Sequence, residues 1–512
     1  MQTRRSKIVF KDYNSNQIML LPPSLEELID ENHPVRTVNQ VIDHIQIDPL
    51  LKRYKGGGTS SYHPRLMLKV LIYGYLTNLY SSRKIEQALH QNIHFMWLSG
   101  MSHPDHNTIN RFRSERLKGV LKEVFNQVVL LLIDHGHITL KEAYLDGTKI
   151  EANANRYSFV WGKMIKHHKQ NIQEQLKELW AYAESIAKEE MENNEPLEFD
   201  KIDAAQVEKT ITNINQALEG KEVDKKVKRK LEYAKREWPE KLSRYEKQQE
   251  QIGKQRNSMS KTDPDASFMR AKEDHLKNSQ LKPCYNWQIT TENQYILGYT
   301  IHQFAADTTT LPEHLESIKS GLGQVPKVLV ADAGYGSEEN YEYLENNDIT
   351  GYIKFNYFEP EQTSKWKQDP SKSENLYYNQ AQDCFYCPMG QAMTFVNEKK
   401  IKSDNGYEQI VRKYQAQNCR QCPMRGPCHK SKGNRSIEVN MKLRKYRKTA
   451  RDRLNSEQGI KYRGKRPVDV EPVFGMIKHN RNYRRFMLRG KEKVEIEAGL
   501  LAIAHDLKKM AC

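Results

Sequence analysis

The sequence contains no run of 18 or more apolar residues, about the length a helix needs to cross a bilayer, so no membrane span is expected. Its opening residues, MQTRRSKIVFKDYN, are basic without an apolar stretch behind them, and no secretory leader is expected. Cysteine is scarce, seven in 512 residues. A large chain without a leader is expected in a reducing, cytoplasmic compartment, where Cys-x2-Cys spacing points to metal before disulfide. Gly56-Gly57-Gly58 has no Gly-Lys-Ser/Thr after it and is expected to be a flexible linker rather than a phosphate loop. Gly334-Tyr335-Gly336 lacks the spacing of a dinucleotide fingerprint, and no internal repeat is evident.

Acidic residues are also in deficit. Lys and Arg number 81 against 65 Asp and Glu, a formal net charge of +16. Such an excess indicates a polyanionic partner, most often nucleic acid. A chain of this length exceeds one ordinary core, so two or three domains are expected.

Apolar spacing predicts helices over most of residues 1–140, an all-α region. Within it, Pro104-Asp105 precedes a helix carrying Arg111, Arg113 and Arg116, which suits either a helix-turn-helix reader or a plain bundle with a basic face. The period changes at 141–162, where Tyr144, Asp146, Thr148 and Ile150 alternate as on a strand, with a second strand from about Ser158. Residues 163–257 read as a charged helical hairpin or short coiled coil, with Leu176, Leu179, Ile211, Ile214 and Leu231 as apolar teeth and Gly220 and Pro239 as punctuation. Strands return over 258–356, at 284–304 with a turn at Glu292-Asn293, at 325–332 and at 350–355. A cysteine-bearing loop region is expected over 357–436, and a basic helical tail over 437–512. Strands and helices alternating around long insertions predict a mixed, multi-domain α/β fold.

Three carboxylates stand out. Asp146 lies in YLDGTKIEANANR, where Asp146-Gly147 alone signals a hairpin turn. Asp332 ends the apolar run Lys327–Ala331, the end of a strand where α/β proteins place ligand groups; Ser337 suits the cap of the helix beyond. Glu471 follows Pro467, expected to end any preceding helix, and opens a helical stretch in which Lys478, Arg481 and Arg485 recur along one side as a ladder for phosphates. Widely spaced carboxylates of this kind suit a pair of Mg2+ ions acting on a phosphodiester.

YLDGTKIEANANRYSFVWGK, TDPDASFM, YNWQI, VLVADAGYGS, VEPVFGMIKHNRNYRRFMLRG and IEAGLLAIAHDLKKM together resemble bacterial insertion-sequence DDE transposases, nearest the IS-eleven-eighty-two family of the IS-four-like branch. The resemblance covers nearly the whole chain. It implies an RNase H-like core interrupted by the helical and cysteine-rich insertions, with Asp146, Asp332 and Glu471 as the triad for two Mg2+ or Mn2+ ions. Asp146 would bridge both ions. Asp469 competes for the third place, but the Glu-Pro-Val-Phe-Gly context favours Glu471. The branch's Tyr-x2-Arg-x3-Glu-x6-Lys signature matches at Glu471 and Lys478, while Tyr462 and Arg466 are spaced slightly differently. These residues would hold the DNA end. Implied partners are the element's terminal inverted repeats and target DNA, bound by a homodimer or larger assembly near the nucleoid.

Cys384-x2-Cys387 and Cys419-x2-Cys422-x5-Cys428 form a zinc-ribbon pattern with five thiols for four places and His429 as a substitute. The resemblance favours Cys387, Cys419, Cys422 and Cys428, with Cys384 the alternative ligand. Cys284, Cys512 and the histidines His135, His137, His167 and His168 are expected to be ordinary residues.

Overall fold

The computed structural model describes residues 24–54, 61–192, 203–271, 280–403 and 405–511. The basic opening segment, the Gly56-Gly57-Gly58 linker and Cys512 lie outside them.

A six-stranded mixed sheet organises the molecule. Its longest strand, Leu281–Glu292, pairs antiparallel with Tyr295–His302 and Ser267–Arg270 on one side and with Glu142–Glu151 on the other. Glu142–Glu151 then pairs parallel with Val328–Ala331, and that strand with Thr350–Ile353. Central position explains the sequence: Tyr285, Trp287 and Ile289 on the long strand are completely buried. The tight turn after it centres on Asn293 and Gln294, one residue later than expected, with φ of 51° and 64°. Two positive φ values define the turn type that matches strand twist, and asparagine tolerates that region best after glycine.

Helices cover both ends of this sheet. Leu121–Asp134, Leu311–Leu322 and the closing helix Lys491–Met510 pack against Tyr295–His302. The closing helix is apolar nearly all round, with Val494 through Leu507 almost continuously buried, because it also packs against Pro64–Leu76 of the N-terminal helical region. Met441–Asn455 and Glu457–Asp469 lie against the parallel strands. Pro467 does not end the second of these helices but sits inside its last turns. There proline forfeits a single backbone bond, and Val470 N still donates to Arg466 O at 3.2 Å.

Both the helical and the cysteine-bearing segments differ from expectation. The described residues of 162–252 are not a hairpin but helices Gly162–Ile186, Lys188–Glu192, Ala204–Ala217 and Lys225–Ile252 around a core of their own, including Leu176, Trp180, Ile211, Ile214, Leu231 and Trp238. The long helix Lys225–Ile252 runs through Pro239. Strands Phe159–Trp161 and Ser258–Ser260 pair at the base and return the chain to the sheet. The cysteine-bearing region is not loop but a five-stranded antiparallel sheet spanning Tyr377–Val439, with Phe385, Met393 and Tyr414 in its core. No described helix is long and apolar enough to cross a membrane.

Candidate active site

The strand through Asp146 continues to Glu151, and Asp146 and Gly147 face Ile289 and Gln288 across the antiparallel ladder. The bend falls later, at Asn153-Ala154. Pairing with the long neighbouring strand through Asp146 and Gly147 overrides the local turn tendency of Asp-Gly. Glycine is needed here for another reason: a Cβ at position 147 would overlap the Gln288 side-chain amide. Gly147→Ala is expected to displace Gln288 and lower stability by about 1–3 kcal/mol in chemical denaturation.

On the parallel side, Leu145 pairs with Ala331. The next residues are Asp146, in the middle of its strand, and Asp332, just past the end of its own, so register brings these carboxylates side by side. Asp332 Oδ1 accepts from Gly334 N at 2.8 Å, capping a single 3-10 turn, Ala333–Tyr335. Ser337 caps the following helix by accepting from Asn340 N at 3.2 Å. Glu471 begins the short helix Glu471–Gly475 and is joined to Asp146 through Arg466. The Arg466 guanidinium lies 3.0 Å from Asp146 Oδ2 and 3.5 Å from Glu471 Oε1. Burial pushes the Asp146 carboxyl up to about 6; Arg466 opposes this, and nearby Asp332 and Asp307 add to it.

Asp469, the rival third carboxylate, is buried and committed: it accepts from Thr291 Oγ1 at 2.7 Å and Gln294 N at 3.2 Å. Glu471 is half exposed beside Arg466. Tyr462 stacks edge-on against Tyr352, with ring centroids 4.8 Å apart.

The cation ladder does not form. After Glu471–Gly475 the chain makes a π-helical turn, Met476–Asn480. Its extra residue rotates the following side chains out of the register expected for an α-helix. Lys478 and Arg481 are buried, and Arg481 points toward Ala504 O. Arg485 is exposed, but its guanidinium donates to Ala152 O and Ala154 O at 3.1 and 3.2 Å, clamping the bend after the first strand. The N-terminal arginines diverge likewise. Arg111 is exposed, whereas Arg113 is buried and donates to Tyr80 O at 2.7 Å and Tyr75 Oη at 3.2 Å. Arg116 lies over the Tyr54 ring. A recognition helix presenting all three arginines to a groove is therefore not what this segment builds. Buried guanidinium groups bonded to carbonyls hold elements together and have no face for a phosphate.

The zinc expectation is not supported. Cys387, Cys419, Cys422, Cys428 and His429 line one cavity of about 260 Å³. Among the described residues, however, no three His, Cys, Asp or Glu side chains are grouped to hold a metal ion. The buried Arg435 contacts the thiols instead, its guanidinium 2.8 Å from Cys428 Sγ and its backbone N 3.4 Å from Cys419 Sγ. Cys384 lies on the strand Cys384–Tyr386 and donates weakly to Gln382 Oε1 at 3.8 Å. Cys284 is fully buried, with a thiol pushed up to about 12 by burial.

One acidic residue at the site has no sequence motif. Asp307 follows the strand Tyr295–His302, and its Oδ1 accepts from Asn286 Nδ2 at 2.7 Å and Gln288 Nε2 at 2.9 Å. The available signal was the amide pair Asn286 and Gln288, one residue apart between the apolar Tyr285, Trp287 and Ile289 of a buried strand.

Residues 386–511 match a family model described as Transposase DDE domain, and residues 23–115 match one described as Transposase domain (DUF772). No curated protein and no solved structure matches the chain. The two family matches support a DNA transposase of the DDE class, an enzyme that acts on DNA. The first match contains Arg466, Glu471 and Lys478; Asp146, Asp307 and Asp332 fall between the two matched stretches.

Proposed function

We propose that this chain is an insertion-sequence transposase of the IS-eleven-eighty-two type. In this reading it cuts the phosphodiester at the element ends and joins the freed 3′-OH to target DNA, with Asp146, Asp332 and Glu471 as the acidic triad. The observation that carries the reading is the register that sets Asp332, just past the end of its strand, beside Asp146 on the parallel neighbour, with Arg466 linking Asp146 to Glu471. Support also comes from the strand order, three antiparallel strands followed by two parallel to the first, the arrangement of an RNase H-like core.

The donor set is chemically suited to Mg2+ or Mn2+: hard carboxylate oxygens, few in number, with room for the waters such an ion retains. Gly334 keeps that room, since a Cβ there would stand 3.0 Å from Asp332 Oδ1. Among the described residues no three His, Cys, Asp or Glu side chains are grouped to hold an ion, and Arg466 stands between Asp146 and Glu471; in this reading Asp146, Asp332 and Glu471 would hold the divalent ions once Arg466 has left the carboxylates. When bound, the ions supply activation of the attacking oxygen and stabilisation of the leaving one. Arg466 would exchange its carboxylate partners for a DNA phosphate, a planar donor well matched to that group. Lys465, which pairs with Glu142 beside the same strand, and Tyr462 flank this position. Pairing two element ends calls for a homodimer or larger assembly.

The test uses a plasmid carrying the terminal inverted repeats that bracket the gene. Mg2+-dependent nicking at those ends is expected from the wild type and lost in Glu471→Gln. Asp469→Asn, whose amide oxygen still accepts from Thr291 and Gln294, is expected to retain it. Equal loss in both, with folding intact, would move the third carboxylate to Asp469. Cleavage without joining to a target plasmid would make the protein a nuclease of this fold, and no cleavage by the wild type would make it a silent DNA-binding derivative.

A further inference from the structure

The basic helix Met441–Asn455 contributes no residue to the site described above. Its 15 residues, MKLRKYRKTARDRLN, carry seven Lys and Arg against one acid, Asp452. No acidic residue stands in its first turn, so Lys442 and Arg444 lie near the end where the helix dipole disfavours cations. Lys442, Lys445 and Lys448 recur every three residues, which makes them neighbours on the helix surface, and like charges so placed destabilise it. Part of this charge is used inside the protein. Lys442 pairs with Glu342 at 2.6 Å, Arg451 pairs with Glu361 at 2.7 Å, and Arg444 donates to Leu376 O at 3.2 Å. Lys445 and Lys448 are exposed, and their side chains have no ion pair or hydrogen bond among the described residues.

These cations face a wall. They line one side of a cleft of about 870 Å³ whose opposite side is the cysteine-bearing sheet, including Tyr378 and Ile410. Ile410 is 47% exposed although it lies within the strand Glu408–Ala416. The acids that share the cleft are engaged elsewhere. Glu408 pairs with Lys402 at 2.9 Å and Glu438 with Lys399 at 3.4 Å, while Glu338 accepts from Asn440 Nδ2 and the Tyr407 hydroxyl. Glu374 accepts from Ser373 Oγ at 3.2 Å. The cleft is also tied to the candidate active site. Asn440 caps the basic helix, and its partner Glu338 opens the helix Glu338–Asn346, one short turn beyond Asp332.

We propose that this cleft binds one unpaired DNA strand, with phosphates on Lys445 and Lys448 and bases against Tyr378 and Ile410. A row of cations facing an aromatic and apolar wall holds a single strand without reading its sequence, because every base has a face to stack and every nucleotide a charge. The cleft has the volume of a small-ligand pocket. A few nucleotides fill it, and a duplex, whose major groove alone is about 12 Å wide, does not enter. Cutting one strand of a duplex supplies the occupant, since the nicked end is then free to separate from its partner. This inference rests on the DNA-cutting reading above.

Binding of a fluorescein-labelled oligo-dT to the full chain, followed by anisotropy over a range of salt concentrations without divalent ions, tests it. The double variant Lys445→Gln/Lys448→Gln removes two charges that no other residue uses, so its melting temperature is expected to match or slightly exceed that of the wild type. Its affinity for the oligonucleotide is expected to fall on the order of tenfold. The slope of log affinity against log salt should become shallower by about 1.4, since each phosphate contact on a single strand contributes about 0.7. Ile410→Glu, an exposed change on the opposite wall, is expected to weaken binding as well. Unchanged affinity and slope in the lysine variant would overturn the inference. So would normal binding by Ile410→Glu beside a weakened lysine variant, because the strand would then lie on the open helix face. A wild type that does not bind the oligonucleotide would overturn it too. Nicking of the inverted-repeat plasmid by the wild type separates the two readings: with nicking intact, any of these negative results removes the cleft assignment alone, and without nicking the DNA-cutting reading falls with it.

Discussion

Asp146→Asn is expected to abolish cleavage at the element ends, a fall on the order of a thousandfold or more, while making the metal-free protein more stable at neutral pH. The first effect follows because the amide gives up the charge that would hold the divalent ion beside Asp332. The second follows from linkage. Burial raises this carboxyl from 3.8 to about 6 in the folded protein, so between those values the folded state binds more protons than the unfolded one. Stability contributed by Asp146 therefore falls as pH rises through that window, and above it the buried charge is carried at full cost. Asparagine carries no charge, so the gain at pH 7 is up to about 3 kcal/mol and vanishes below pH 3.8. Chemical denaturation at pH 7 and at low pH, alongside the nicking assay, reads both. A variant that loses activity and stability together at pH 7 would contradict this account and mark Asp146 as a structural residue. Gains of this kind are the usual sign of a functional group held at the expense of the fold.

Glu497→Ala is expected to produce the largest loss of stability, about 3–5 kcal/mol. Glu497 is completely buried on the closing helix. Its Oε1 accepts from the Tyr75 hydroxyl at 3.0 Å, and its Oε2 accepts from Met487 N at 2.8 Å and Leu488 N at 2.9 Å. Arg113, also buried, donates to the same tyrosine and lies 3.9 Å from the carboxylate. Removal orphans two backbone donors and a hydroxyl and leaves the Arg113 charge unpaired in the interior. Glu497→Gln keeps the acceptor oxygen and should cost less than the alanine variant; equal losses would show that charge, not hydrogen bonding, dominates. Denaturation followed by tryptophan fluorescence measures the difference. The damage should reach the site, because Met487 and Leu488 belong to the segment whose Arg485 and Arg489 clamp the bend after the Asp146 strand through Ala152, Asn153 and Ala154.

Much of the site was readable because its signals are local. Alternation from Tyr144 to Ile150 is the period of a strand, the apolar run before Asp332 is that of a buried one, and Ser337 caps a helix by contacts three residues apart. The five-stranded sheet over Tyr377–Val439 was hidden for the opposite reason: much of its long hairpin is exposed, with Phe395, Val396, Ile401 and Ile410 at 44–48%, so no alternation between a buried and a solvated face marks its strands. The helical segment over 162–252 showed its apolar teeth but not its helix count, since its longest helix continues through Pro239.

By itself, then, the sequence determined the helical and strand character of the elements carrying Asp146, Asp332 and Glu471, the basic excess that points to a polyanion, and the motifs that resemble a DDE transposase. These depend on side-chain period and composition, properties of neighbouring residues. Only the tertiary structure decided which charges meet. It set the register that brings Asp146 beside Asp332, turned Lys478 and Arg481 inward through a π-helical turn, set Arg113 against Glu497, placed Arg435 against Cys428 and brought Asp307 beside Gly334. The physical reason is that each of these outcomes depends on register between segments far apart in the chain, and a shift of one residue in a strand or a helical turn reverses the side on which a charge emerges.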